Sequence, residues 1–154
     1  MVTIKEKLTV ITRVKGACPT HSRTDITVRN VVAVIDEPVE RGGTNAGPTP
    51  TEALIAALVA CSNVIGHKCA EKHGVDIKAL EINAEAHFDR RGVTLTEQVD
   101  VPFPLIKLIF DLTTPANDQK IAAMRSDLAR FCAVGMVIRK SGTVIEEVWN
   151  IHRG

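Results

Sequence analysis

Tyrosine is missing from the sequence, tryptophan occurs once, and aromatic residues make up only 3% of the chain. That excludes a stacking platform for single-stranded bases. Charge of one sign is equally absent. Nineteen basic residues face 18 acidic ones for a net charge of +1, with no run of either sign, so there is no footprint for nucleic acid or for an anionic membrane surface. Long hydrophobic runs are also missing. The longest uninterrupted apolar stretch is the nine residues Ala53 to Cys61, whereas a bilayer span needs about 20. The opening MVTIKEKLTVITRVKG is charged throughout and has no apolar stretch of signal-peptide type. These absences predict a soluble, cytoplasmic protein with no nucleic-acid or membrane partner. Glycines 42, 43 and 47 do not have dinucleotide-fingerprint or P-loop spacing, and no CxxC, HExxH or Ser-His-Asp arrangement is present. Cysteine is scarce too. Cys18, Cys61, Cys69 and Cys132 are too few for a disulfide scaffold, and in a reducing compartment they are expected to be free thiols, metal ligands or redox groups.

What remains is an ordinary globular composition, 45% hydrophobic over 154 residues, enough for one domain with a real core. Leu8–Val14, Asp25–Asn30 and Val31–Ile35 are rich in β-branched residues and predict strands, with a turn at Asn30. Glycines and prolines between Glu37 and Pro50 predict a loop. A helix follows, capped by Thr49 or Thr51, with Pro50 and Glu52 in its first turn and Gly74 at its end. Its body from Glu52 to Ala70 is apolar nearly all round in its first half, the pattern of a buried helix. Partial alternation predicts a strand from Val75 to Phe88 and another from Leu105 to Leu112. Ile121, Met124, Leu128 and Phe131 have helical spacing within Asn117–Phe131; a short helix over Val134–Arg139 and a strand over Thr143–Ile151 complete an α+β chain.

Two cysteines occupy places where chemistry is possible. Cys61 lies within the apolar helix, where cysteine also serves as a small hydrophobe. Cys132 falls where one helix ends and the next begins, and a thiol at a helix N-terminus is favoured as thiolate. His67, Cys69 and His73 cluster at the far end of the long helix, with Cys69 and His73 on one face, but they lack the compact spacing of a zinc site. No metal or cofactor is expected.

The segments Asp36-Glu-Pro38, Gly42-Gly43 and Asn45-Ala-Gly-Pro-Thr-Pro-Thr-Glu-Ala-Leu-Ile-Ala-Ala-Leu-Val-Ala-Cys61 resemble the signature of the OsmC/Ohr superfamily. Arg130-Phe-Cys132 followed by Ser141-Gly-Thr-Val-Ile-Glu-Glu-Val-Trp149 resembles its second cysteine segment. The resemblance implies an α+β intertwined homodimer around buried central helices. It implies a peroxidatic Cys61, a resolving Cys132 and a dithiol reductant that restores both. It also implies an arginine held by a glutamate, for which Arg29 or Arg23 and Glu52 are the candidates. The family's glutamate directly follows the helix-start proline; here that place is Thr51, with Glu52 one residue on, and Ala133 stands where proline commonly follows the second cysteine. Two functions therefore compete: a thiol peroxidase acting on organic or hydrogen peroxides, and a dimer that binds a small apolar ligand and uses its cysteines structurally.

Overall fold

The computed structural model describes residues 8–154; the charged opening of the chain, residues 1–7, lies outside the described residues. The architecture is α+β, with two three-stranded sheets and three α-helices. The chain gathers into two compact units, the first ending at Ala53 and the second running Leu54–Gly154.

In the first unit, β1 (Lys15–Ala17), β2 (Thr24–Val28) and β3 (Val31–Ile35) form an antiparallel sheet in that order. The first strand therefore begins later than expected. Lys15 pairs with Thr27, and β2 ends one residue further on, so among the described residues the segment Leu8–Val14 has no strand to bond with. Leu8, Val10 and Ile11 are left 96%, 78% and 75% exposed. β2 and β3 are joined through Arg29, which sits at φ 57 in the left-handed region.

The loop after β3 is organised by one carboxylate. Asp36 is fully buried and accepts hydrogen bonds from the amides of Glu37, Thr44 and Ala46 and from the Thr44 hydroxyl. The Thr44 hydroxyl and the three amides outweigh burial and hold this carboxyl well below the usual carboxylate range. The backbone packs too closely here for side chains. A Cβ on Gly43 would lie 1.8 Å from the Glu37 carbonyl oxygen, and one on Gly47 would lie 2.0 Å from that of Val34. The glycines of the motif are thus required by contact with their own chain.

Helix α1 (Pro50–His73) starts with a reciprocal capping box. The Glu52 amide donates to Thr49 Oγ1 at 3.3 Å, and the Thr49 amide donates to Glu52 Oε2 at 2.9 Å. The helix ends at Gly74, φ 65, where the Gly74 and Val75 amides return to the Glu71 and Ala70 carbonyls. That is a Schellman closure, and the left-handed residue it needs is the glycine.

The second unit carries the main core. β4 (Ala79–His87), β5 (Leu105–Thr113) and β6 (Val144–His152) form a sheet in that order, β4 antiparallel to β5 and β6 parallel to it. β4 begins four residues later than expected, because Val75 is used to close α1 and β5 ends at Thr113, opposite Ala79. Ile106, Leu108, Phe110 and Leu112 are buried at every second position of β5. α2 (Asp118–Phe131), capped by the Asn117 side chain, and α3 (Ala133–Lys140) connect β5 to β6.

By length and composition α1 could cross a bilayer. In the fold it contributes to the core through Leu58, Cys69 and Ala70, with Ser62 and Gly66 buried on the same side. The sequence predicts a helix buried all round; the chain itself covers only this stripe, leaving Leu54 42% and Val64 53% exposed.

Gly66 is buried, yet nothing lies within 4 Å of where its Cβ would sit. It borders a void of about 10 Å³ shared with Phe110, Met124 and Trp149. Glycine inside a helix costs about 0.8–1 kcal/mol relative to alanine. Gly66→Ala is therefore expected to raise the thermal midpoint by about 2–4 °C in a chain of this size, read by circular dichroism melting.

Asp127, buried on α2, ties that helix to the end of α1. Its Oδ2 accepts from Lys72 Nζ at 2.6 Å and from His73 Nε2 at 2.8 Å. The Lys72 hydrogen bond, then that of His73, holds its carboxyl below the usual range. A depressed carboxyl stabilises the fold fully above its unfolded value, near 3.9, and loses that contribution as pH falls through the native value. The urea midpoint of Asp127→Asn is thus expected to lie below that of the parent at pH 7, and the two are expected to converge in acid.

Candidate functional site

Within the second unit, α1, α2 and α3 bring two thiols together. Cys132 lies at the break between α2 and α3 and serves both helices. Its amide closes α2 on the Leu128 carbonyl, and its own carbonyl receives the Met136 amide. Its Sγ caps α3, accepting the Gly135 amide at 3.4 Å. The sulfur thus takes the place a serine or aspartate oxygen fills at other helix starts, in the positive field of the helix end. The helix breaks here because Cys132 itself is extended, at φ −69 and ψ 102.

Cys61 reaches this sulfur from the middle of α1. Cys132 is 3% exposed and Cys61 half-buried. Burial pushes the Cys132 thiol up, and the neighbouring Cys61 sulfur pushes it further. The Gly135 amide and the Ser62 hydroxyl pull the other way without prevailing. The resting protein thus favours the protonated form of Cys132. Such a pair can exchange two thiols for a disulfide when an oxidant takes the first sulfur.

The other sequence-predicted site residues belong to the first unit. Arg29 is exposed in the β2–β3 turn, and Glu52 is engaged in the α1 capping box. Arg23 pairs with Asp25 at 2.7 Å, and that bond raises its already high pKa. Thr51 contacts the Thr49 hydroxyl at 3.2 Å. The remaining cysteines are placed differently. Cys18 is exposed; Cys69 is buried and its thiol is pushed up, first by burial and then by the charge of Asp127. His67 Nδ1 bonds the Asn63 carbonyl and His73 bonds Asp127, so each ring is engaged by a protein group.

Sequence reasoning did not mark Ser62, Gly135, Arg139 or Glu147, which surround the pair or support its surroundings. A visible signal existed for one of them. Glu147 falls in phase with Ile145, Trp149 and Ile151 on the inward face of β6, where a charge is out of place. A groove of about 640 Å³ runs between α1 and β4, lined by Ile55, Val59 and Asn63 on the helix and by Leu80, Ile82 and Asn83 on the strand.

Comparison with known proteins bears on the family and the fold. The family model described as OsmC-like protein matches residues 43–148. No curated protein sequence matches the chain. Among solved structures, an OsmC-like protein from Mycoplasma pneumoniae superposes with a TM-score of 0.78 at 16% identity, covering 93% of this chain and 98% of that one. An organic hydroperoxide resistance protein from Legionella pneumophila gives 0.62 at 13% identity, covering 95% and 99%. Another, from Elizabethkingia anophelis, gives 0.62 at 12%, covering 97% and 100%. At these identities the likeness to the solved structures is one of fold.

Proposed function

Because this chain belongs to the OsmC-like protein family, we propose that it is a cysteine-based peroxidase that reduces organic or hydrogen peroxides through a Cys61–Cys132 thiol–disulfide cycle. The observation that carries this reading is the proximity of Cys61 to Cys132 where Cys132 caps α3. The likeness in fold to two organic hydroperoxide resistance proteins supports it.

In the cycle, the Cys61 thiolate attacks one peroxide oxygen and the O–O bond breaks. Cys61 becomes a sulfenic acid, and the alkoxide leaves as the alcohol after taking up a proton. Cys132 then loses its proton and attacks the Cys61 sulfur. Hydroxide departs with a proton as water, and a disulfide remains. A dithiol reductant restores both thiols by two exchanges and is itself oxidised to a disulfide. Arg29, with Arg23 as the alternative, and Glu52 are the groups proposed by resemblance to orient the peroxide. Four free thiols are consistent with a reducing compartment such as the cytoplasm.

We further propose that the molecule is a homodimer, with the uncovered apolar side of α1 facing a second copy; the exposure of Leu54 and Val64 supports this. A second reading has a specific observation in its favour. Glu52 is committed to its capping box, and the groove beside α1 has the size of a small-ligand site. In that reading the dimer binds a small apolar ligand and the cysteines are structural. Counting thiols lost to peroxide separates the two.

A further inference from the structure

Glu147 is the only carboxylate in the inward phase of β6, its side chain 17% exposed among apolar neighbours. A charge there calls for partners, and it has two. Oε2 accepts the Trp149 indole N–H at 2.9 Å, and Oε1 receives Arg139 Nη2 of α3 at 3.4 Å. Arg139 Nη1 donates to the Ala129 carbonyl near the end of α2 at 3.4 Å. The guanidinium is thus held from both a strand and a helix.

Its position matters because of Gly135. The point where a Gly135 Cβ would sit is 3.2 Å from Arg139 Nη1 and 3.4 Å from Cys132 Sγ. Glycine leaves that space open, so a fixed cation and the sulfur converge on one point, no more than about 7 Å apart. At that range a unit charge still acts on a buried neighbour. The charged and titratable groups facing Cys132 are Cys61 from α1, Arg139 from α3 and, behind Arg139, Glu147 from β6. On α2, Arg130 is turned to Asp127.

We propose that Arg139, fixed by Glu147, is the positioning residue that readies Cys132 for the resolving step. This rests on the peroxidase reading above. In the resting protein burial and, after it, the neighbouring Cys61 sulfur push the Cys132 thiol up. Once Cys61 carries a sulfenic acid, the second of these contributions changes. The Gly135 amide and the Arg139 guanidinium then work against burial alone on Cys132, which gives up its proton and attacks the Cys61 sulfur. The disulfide forms, and hydroxide leaves as water.

The test isolates Cys132 in full-length protein carrying Cys18→Ser, Cys61→Ser and Cys69→Ser, and follows thiolate ultraviolet absorbance against pH. Arg139→Gln is expected to raise the Cys132 midpoint by roughly one pH unit. Arg139→Lys, which keeps the charge and the stem, is expected to stay near the parent. In the four-thiol protein, Arg139→Gln is expected to lengthen the lifetime of the Cys61 sulfenic acid about tenfold, read by dimedone trapping after one equivalent of cumene hydroperoxide. A midpoint that does not move in a folded Arg139→Gln protein overturns the proposal; so does Arg139→Lys shifting as far as Arg139→Gln. If peroxide is not consumed but the midpoint moves as stated, the electrostatic role of Arg139 stands and the peroxidase reading falls.

Discussion

One equivalent of organic hydroperoxide added to the reduced protein is expected to remove two of its four thiols, and Cys61→Ser is expected to lose none. The serine oxygen cannot take the place of a thiolate, because its proton is held far too tightly at neutral pH. Peroxide consumption should fall at least about a thousandfold, the scale on which loss of a covalent nucleophile is felt. Cys132→Ser should behave differently. It still consumes one equivalent but stops at the sulfenic acid, losing one thiol instead of two. The other cysteines are internal controls. Cys69 is buried and its thiol is pushed up by desolvation and by Asp127, so it should survive the same treatment. Survival of all four thiols in excess peroxide would rule out the peroxidase reading and leave the ligand-binding dimer.

The largest expected loss of stability comes from Phe110→Ala. Phe110 is 1% exposed and stacks on Trp149 with the rings parallel and 3.9 Å between centroids. It also borders the small void beside Ser62 and Gly66, so truncation would extend an existing gap. Removal of a buried phenylalanine side chain costs about 3–5 kcal/mol, a large share of the roughly 5–15 kcal/mol that holds a typical domain. The urea midpoint should fall accordingly. Trp149 emission should shift to the red as the indole loses its cover, and the indole N–H that steadies Glu147 should loosen with it.

The parts of this fold most legible in the sequence are those whose signals are local. Thr49, Pro50 and Glu52 announce the start of α1, Asn117 caps α2, and the alternation Ile106, Leu108, Phe110, Leu112 marks one face of β5. What was hidden depends on a partner distant in the chain. Leu8–Val14 has the composition of a strand but nothing to pair with, and β4 starts only where β5 lies opposite. The importance of Cys61 and Cys132 came from family resemblance. Their proximity links the middle of one helix to the junction of two others, which no periodicity encodes. The Arg139–Glu147 pair joins a helix to a strand in the same way, and only the charge on the inward face of β6 hinted at it.

The parallel pairing of β5 with β6 imposes an order in time. An antiparallel neighbour such as β4 can join β5 directly, but a parallel one must wait for a crossover, which here is α2, Cys132 and α3. Contacts between sequence-distant strands form slowly, because loop closure must precede their reward. Cys132 sits at the bend of that crossover, so the same connection that makes β6 parallel to β5 also holds the sulfur between α2 and α3.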